Sequence, residues 1–362
     1  MKATFWKNDV FLLITTCIIS GFLILLPKWF ELSITESDFL ESNAPLIAFF
    51  GLTLFSLLIK KNLDMKMFFV TIFIYAVSAV YINVVGLKSE SSSVNLAQIH
   101  LPLMLWCLYG LIYADFKFSN KTGFIDYFKH NGELAILIAV TMITGGIMMG
   151  LTVSLFQTID VNFESLHVDH IVLAGLVSVP IIATFIIRRY PSIAGKIAPV
   201  IAGIFSPMVL VILVIFLVSL FFVDKDPFND REFLLVFNFM LLGVMALIVF
   251  SVSETAMIRN KKFGRITLLA LTFVTLMIDI IALTAIIYRL GEYGFTPNRF
   301  VVMCTNILIF GNLLLIMIDL IKVNFKNRNI EIVELTIARY LPVYAVWTVF
   351  AVFLLPLIFD FK

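Results

Sequence analysis

The chain has 362 residues, of which 61% are hydrophobic and 14% are charged, and its mean hydropathy is +1.05. Soluble domains are about 45–50% apolar and about 25% charged, so this composition excludes a water-soluble protein and indicates one that lies in lipid. The net charge of +2 excludes the strongly basic surface that nucleic-acid binding needs, and we expect no nucleic-acid partner.

Continuous apolar runs along the chain predict membrane-spanning helices, because about 20 residues cross the hydrocarbon core and a helix satisfies its own backbone hydrogen bonds there. Eleven such runs occur, at 10–26, 41–59, 67–86, 97–114, 133–156, 171–187, 197–223, 233–257, 266–288, 301–321 and 341–359. The sequence therefore predicts an all-α, polytopic transmembrane helix bundle. Since every intervening loop is short, we expect residues 1–362 to form a single integral membrane domain.

Lysine and arginine predict the orientation of these spans. The N-terminus and the even-numbered loops carry 19 of the 26 basic residues, and the opposite side carries 7. An excess of basic residues marks cytoplasmic loops. We therefore expect the N-terminus in the cytoplasm and the C-terminus outside, with 10–26 retained as the first helix because no small-residue cleavage site follows it.

A short sequence similarity suggests an inverted repeat. The sequence APLIA at 44–48 opens the second predicted span, and APVIA at 198–202 opens the seventh. These spans lie five apart and run in opposite directions, as inverted-topology repeats require. The hypothesis is a pair of weak inverted halves, 1–160 and 171–322, followed by a final helix at 341–359.

Signatures of soluble enzymes are absent from the sequence, which contains no HExxH, GxSxG or Walker motif. The three cysteines lie inside apolar runs and form no CxxC pair, so we expect neither a disulfide nor a zinc-thiolate site. The sequence thus gives no positive sign of an enzyme. We expect no cofactor, with a divalent metal on the outer side as the single alternative.

Asp279 lies close to the midpoint of the span 266–288. A carboxylic acid there costs about 2.5–3.5 kcal/mol on insertion scales unless the bundle solvates it. Thr272 and Thr275 share its helical face, and no basic residue lies in the core of any span. The acid is therefore either a structural hydrogen-bonding group, with partners such as Asn306, Asn312 or Asn238, or a group that takes up a proton or a cation.

Two further carboxylates, Glu254 and Asp319, lie about one turn from the cytoplasmic ends of the eighth and tenth predicted spans. They join the candidate polar site of helices 8–10. The alternative is that both are interfacial charges that reach the headgroup region beside basic loops.

Histidines on the predicted outer side suggest a second, separate site. Glu164, His167 and His170 are spaced by three residues, which one helical turn would bring together, and His100 lies on the same side. Such a group would bind a divalent metal or respond to the outside pH. The alternative is a set of amphipathic residues at the membrane edge.

The loop between the ninth and tenth spans, with the sequence YGFTPNR at 293–299, predicts a capped helix start: Thr296 is suited to the N-cap and Pro297 to the first turn. Gly294 is suited to a turn. Arg289 and Arg299, with Tyr293 and Asn298, form a predicted outer rim. The arginines would hold anionic headgroups, bind an anionic ligand or pair with acids such as Glu292; otherwise the loop only pins a helical hairpin.

The same YGFTPNR sequence, with Arg339-Tyr340-Leu341-Pro342 at the last helix, resembles a motif of bacterial polytopic inner-membrane proteins of the domain of unknown function 4153 family. The resemblance is best over 230–359 and does not extend residue by residue to the first five helices. It implies a location in the bacterial inner (cytoplasmic) membrane and implies no particular activity.

We interpret the sequence as a multi-pass transporter or channel-like protein with a proton- or cation-linked polar site in helices 8–10. The alternative is a non-transporting scaffold or regulatory subunit of a partner complex, and the third reading is a lipid-modifying membrane enzyme. Expected partners are membrane lipids and a small ion or small-molecule substrate, with a protein partner under the alternative.

The positive-inside asymmetry generates a topology prediction. A reporter fused after Lys362 should lie outside the cytoplasm, and a reporter inserted in 259–265 should lie inside it. Alkaline phosphatase and green fluorescent protein fusions at both positions measure this. The same sidedness at both positions would overturn the eleven-span arrangement.

Overall fold

The computed structural model describes residues 2–29, 36–60, 64–86, 91–157, 168–219, 231–253 and 262–360. All regular secondary structure within these ranges is helical, which confirms the predicted all-α class. The helices are α1 (Lys2–Trp29), α2 (Glu36–Leu58), α3 (Met65–Gly86), α4 (Ser92–Tyr113), α5 (Lys121–Gln157), α6 (Val168–Arg189), α7 (Pro191–Ser219), α8 (Arg231–Ser253), α9 (Lys262–Tyr293), α10 (Pro297–Phe325) and α11 (Glu331–Val349), after which a π-helical turn (Phe350–Leu354) leads into α12 (Leu355–Ile358).

Eight segments in the described part of the chain are long and apolar enough to cross a membrane: α1 to α4, α6, α9, α10, and α11 with its continuation to Ile358. Within the described residues, α7 and α8 contribute shorter apolar stretches, at Ala202–Val218 and Phe237–Ser253. The chain is thus a helical protein with multiple membrane-type segments. The count of eleven spans and the orientation of the termini stay predictions.

The first of two compact units comprises Met1–Phe116 and Glu133–Ala194. Within it α2 is central, since it packs against α1, α3, α4 and α6, while α1 also packs against α6. Ile24, Leu25, Ile47 and Val177 form one buried apolar cluster where α1, α2 and α6 meet.

Polar pairs between helices fix the arrangement of this first unit. Asn43 and Asn83 exchange two side-chain amide hydrogen bonds, of 2.9 and 2.8 Å, between α2 and α3. The Thr53 and Tyr75 hydroxyl groups lie 2.8 Å apart in the same helix pair. Such pairs hold helices together where lipid supplies no competing hydrogen bonds.

The second unit comprises Lys117–Gly132 and Gly195–Lys362. Within it α10 is central and packs against α8, α9 and α11, while α8 also packs against α9 and α11. A hydrogen bond of 2.8 Å between the hydroxyl groups of Ser206 and Ser251 joins α7 to α8. These units differ in their boundaries from the predicted halves 1–160 and 171–322, and the inverted repeat stays a prediction.

Gly51 of α2 lies in close contact with α1 and α6. A Cβ atom at this position would collide with the Ser20 hydroxyl group and lie 2.7 Å from Cδ1 of Ile181. By contrast, a Cβ atom at Gly175, in the same unit, would meet nothing within 4 Å. The absence of a side chain is therefore a packing requirement at Gly51 and not at Gly175.

We expect Gly51→Ala to lower the free energy of unfolding by about 1–3 kcal/mol, because overpacking a close helix contact forces its neighbours to move. Gly175→Ala is the matched control and should be neutral or stabilising by up to about 1 kcal/mol, since alanine is the better helix former. Thermal unfolding of both purified variants in detergent measures the difference. Equal stability of the two would contradict the close packing at Gly51.

Candidate functional site

The candidate site is built on a tight hairpin of α9 and α10. Gly294 has a φ of +75°, a conformation open to glycine at little cost. Thr296 is the N-cap of α10 and its hydroxyl group accepts a hydrogen bond of 3.4 Å from the backbone N–H of Arg299, with Pro297 in the first turn. The cap and the turn predicted from the sequence are thereby confirmed.

Arg299 closes the other side of this loop. Its Nη1 atom donates to the backbone carbonyl oxygens of Tyr293, at 2.6 Å, and Gly294, at 2.8 Å, which lie just at and beyond the end of α9. Its Cζ atom also lies 5.5 Å from the centre of the Tyr293 ring, and that of Arg289 lies 5.6 Å from the same ring. The structure thus brings three of the four predicted rim residues together, with Arg289 and Arg299 both against the ring of Tyr293. Asn298 is exposed in the first turn of α10.

Asp279 is wholly buried in α9, with a relative exposure of 0%. Neither carboxylate oxygen has a hydrogen-bond partner among the described residues. The neighbouring threonines do not supply one, because Thr272 donates to the Leu268 carbonyl at 2.8 Å and Thr275 to the Leu271 carbonyl at 2.7 Å. Among the described residues, Asp279 therefore does not form the structural hydrogen bond that was one alternative for this acid.

Asn312 of α10 is buried and forms a hydrogen bond with a residue of α11 that was not predicted as part of the site. Its Nδ2 atom donates to the Tyr344 hydroxyl group of α11 at 3.0 Å. Its Oδ1 atom, in contrast, has no partner within the described chain. The Asn312 amide is thus oriented by Tyr344, and its Oδ1 atom is available to accept a hydrogen bond or to coordinate a cation.

The helix register places Asn312 and Asp279 at nearly the same depth. Asn312 lies 13 residues before the end of α10 and Tyr344 lies 13 residues after the start of α11, and these two residues do meet. Likewise Asp279 lies 14 residues before the end of α9 and Asn312 lies 15 residues after the start of α10. Since both helices rise by about 1.5 Å per residue, the two residues share one level of the hairpin.

Two other amides, those of Asn306 in α10 and Asn238 in α8, were also predicted as partners of Asp279. Asn306 is 2% exposed, and its Nδ2 atom has no partner in the described residues. It lies nine residues after the start of α10 and so nearer the loop than Asp279. In α8 the side chain of Asn238 is half-buried; its Nδ2 atom donates to the Leu234 carbonyl at 2.7 Å, and its Oδ1 atom has no partner in the described part of the chain.

Asp319 stands apart from this site. It accepts a hydrogen bond of 2.7 Å from Lys322, one turn along α10, and one of 2.6 Å from the Thr336 hydroxyl group of α11. These partners favour the reading of Asp319 as an interfacial charge that ties two helices together. Glu254 lies outside the described residues.

The predicted outer metal site cannot be assembled from the described residues, since Glu164 and His167 lie outside them. His100 is buried in α4, where its Nδ1 atom lies 2.8 Å from the Leu96 carbonyl oxygen. His170 lies in the first turn of α6. Within the described ranges there is no group of three or more His, Cys, Asp or Glu side chains that would hold a metal ion, and the metal hypothesis stays a prediction.

Two tyrosines of α11 make contacts that the sequence did not predict. Besides Tyr344, the Tyr340 hydroxyl group donates to the Leu308 carbonyl at 2.9 Å, and Gly311 leaves it room, since a Cβ atom there would lie 2.9 Å from that hydroxyl oxygen. The signal that would have found Tyr344 is its distance from the loop between α10 and α11, which mirrors that of Asn312.

Comparison of the chain with protein-family models, with curated proteins and with solved structures gave no match.

The capped loop generates a stability prediction. We expect Thr296→Ala to lower the free energy of unfolding by about 1 kcal/mol, because the N-cap side chain is lost. Thr284→Ala in α9 is the control, as the exposed Thr284 hydroxyl group only donates to Ile280 in its own helix at 2.7 Å. Thermal unfolding of both variants in detergent compares them. A Thr296→Ala protein as stable as Thr284→Ala would show that the N-cap does not stabilise the protein.

Proposed function

We propose that this multi-pass membrane protein takes up a proton or a small cation at Asp279, and that this step serves transport across the membrane. The observation that carries the proposal is a carboxyl group with 0% exposure and no hydrogen-bond partner on either oxygen within the described chain. A membrane-embedded acid in this state marks an ion pathway or a proton relay in many transporters.

The polar atoms that have no hydrogen-bond partner among the described residues at this depth indicate the charge of the ligand. Asp279 offers two carboxylate oxygens, and the Asn312 amide, oriented by Tyr344, offers a third oxygen. Oxygens that accept hydrogen bonds also coordinate hard cations, and they repel anions. The level of Asp279 therefore favours a proton or a cation such as sodium or potassium.

Transport would require a second conformation. In the present one Asp279 has no exposed surface, so nothing enters or leaves without movement of the helices around it. Alternation between a closed and an open arrangement of helices is the usual mechanism of transporters whose site lies near the bilayer midplane. The α9–α10 hairpin, fixed at its loop by Arg299, is the unit whose movement would expose the acid.

The resemblance of YGFTPNR and of Arg339-Tyr340-Leu341-Pro342 to the domain of unknown function 4153 family forms part of this proposal. It supports a location in the bacterial inner membrane. The positive-inside asymmetry, with 19 basic residues against 7, supports the predicted orientation.

A non-transporting scaffold or regulatory subunit is the second candidate, and the complete enclosure of Asp279 favours it. The residues next to Asp279 in α9 include the buried Leu276, Ile278 and Ala282. A dry bundle of this kind serves a protein that holds a partner as well as one that moves an ion.

The two candidates differ in their response to ions. In the transporter, the thermal stability of the purified protein should rise with sodium, potassium or acidification, because a ligand that binds only the folded state stabilises it. Asp279→Asn should fold and insert normally and lose this response, together with any ion flux into proteoliposomes that contain a pH-sensitive dye. Asp279→Leu should be at least as stable as the wild type, since no hydrogen-bond partner is left unpaired.

Asp319→Asn is the matched control. It removes a carboxylate that is already paired with Lys322 and Thr336, so it should lower stability but keep the ion response. An Asp279→Asn protein with the full wild-type response would exclude Asp279 from the mechanism. Destabilisation of Asp279→Leu by about 1–3 kcal/mol would instead indicate a structural hydrogen bond.

A further inference from the structure

An apolar groove of about 600 Å³ lies on the surface formed by α10, α11 and the π-helical turn. Phe300 and Leu308 line it from α10, and Val343, Val346 and Phe350 line it from the other side. Its volume is within the range of small-molecule sites in proteins. The lining is almost wholly apolar, so an occupant must be hydrocarbon along the length of the groove.

The shape of the groove follows from two irregularities in the helices. Pro342, inside α11, lacks a backbone N–H group, and the π-helical turn begins at Phe350. Both disturb regular side-chain packing, and π-helical turns are frequent at functional sites. The groove lies along the stretch of α11 between these two residues.

The groove runs along the membrane-spanning direction. Phe300 lies in the first turn of α10, and Leu308 lies eight residues further on, which is about 12 Å at 1.5 Å per residue. The groove thus starts beside the loop between α9 and α10 and extends inward. An acyl chain of a phospholipid has this orientation in a bilayer.

Two guanidinium groups lie at the loop end of the groove. Arg299 directly precedes Phe300, and Arg289 shares with it the ring of Tyr293. Among the described residues, the side-chain hydrogen bonds of Arg299, to the carbonyl oxygens of Tyr293 and Gly294, are donated by its Nη1 atom. Glu292 and Asp360 also belong to this end, but neither forms an ion pair with Arg299 among the described residues. Arginine donors bind phosphate oxygens with fixed geometry.

We propose that this groove binds one acyl chain of an anionic phospholipid whose phosphate group lies against Arg289 and Arg299. The apolar lining accounts for the chain, and the arginine pair accounts for the charge of the headgroup. This site is separate from Asp279, and its occupancy does not depend on whether the protein transports an ion.

Delipidated protein in a neutral detergent, titrated with dioleoyl phosphatidylglycerol or with dioleoyl phosphatidylcholine, tests the proposal by native mass spectrometry. We expect one phosphatidylglycerol per chain, bound about tenfold more tightly than phosphatidylcholine, which corresponds to about 1.4 kcal/mol. Equal binding of the two lipids would overturn the role of the arginines. A chain that dimerises through the groove and binds neither lipid would overturn the proposal.

Variants separate the chain from the headgroup. Val346→Trp fills the groove at a side chain that is 72% exposed, and it should weaken phosphatidylglycerol binding about tenfold. Val211→Trp, at a 56% exposed side chain on α7, is the control and should bind as the wild type does. Arg289→Gln should abolish the preference for phosphatidylglycerol and leave phosphatidylcholine binding unchanged. Wild-type binding by Val346→Trp would place the lipid elsewhere.

Photo-crosslinking of the wild-type protein tests the same site without a substitution that could prevent folding. Phosphatidylglycerol with a diazirine in its acyl chain should crosslink to peptides of α10 and α11 that contain Leu308 or Val343. Labelling spread evenly over the exposed apolar surface, for example over α3 and α7, would show a bulk lipid shell and would refute the specific site.

Discussion

Hydrocarbon neither donates nor accepts hydrogen bonds, so a polar group inside a membrane finds its partner within the protein or has none. This constraint explains the helical backbone, and it explains most of the buried side chains as well. Thr272 and Thr275 return their hydroxyl protons to carbonyl groups of their own helix, and Asn43 and Asn83 satisfy one another across two helices. Asp279 is one of the exceptions, and the one of functional interest, because neither of its carboxylate oxygens has a hydrogen-bond partner among the described residues.

The position of that exception depends on two loops. Gly294 and the Thr296 cap make the turn between α9 and α10 short, so residues equally far from the turn come to one level. The next turn, before α11, does the same for Asn312 and Tyr344. Three helices thereby contribute side chains to one level of the second unit. Asp279 of α9 lies there at the same depth as Asn312, whose amide is oriented by Tyr344. A shift of either hairpin by one turn would move these groups about 5.4 Å apart along the axis.

Much of the fold could be predicted from the sequence because one strong signal dominates it. Apolar runs of membrane length predict helices, and each predicted span falls on a helix as far as its residues are described. The capped start of α10 was equally predictable from the sequence, since an N-cap threonine, a first-turn proline and a turn glycine depend only on residues next to one another in the chain. The count of eleven spans stays a prediction, since the described residues contain eight segments that are long and apolar enough to cross a membrane.

The candidate site was predictable only in part. The burial of Asp279 followed from its place in an apolar run, but the absence of a partner among the described residues depends on how α8, α9 and α10 are rotated about their axes. Sequence spacing does not fix that rotation. The same limit applies to Tyr344, whose hydroxyl group was indistinguishable from those of other aromatic residues until the register of α10 and α11 was known. Asp319 shows the converse, since its pairing with Lys322 is a local feature of one helix.

The energetics of Asp279 connect its burial to its proposed role. Burial of a carboxylic acid at mid-membrane costs about 2.5–3.5 kcal/mol, a large share of the 5–15 kcal/mol that typically stabilises a folded domain. An ionised carboxylate without a counter-charge would cost far more, and no basic side chain forms an ion pair with Asp279 in the described chain. The closed arrangement is therefore compatible with a protonated or cation-bound acid and is opposed by a bare carboxylate. Thermodynamic linkage then requires that the ligand favours closure by the same factor by which closure favours the ligand. A conformational change that exposed Asp279 to water would reverse both preferences together, which is the coupling that an ion-linked transporter requires.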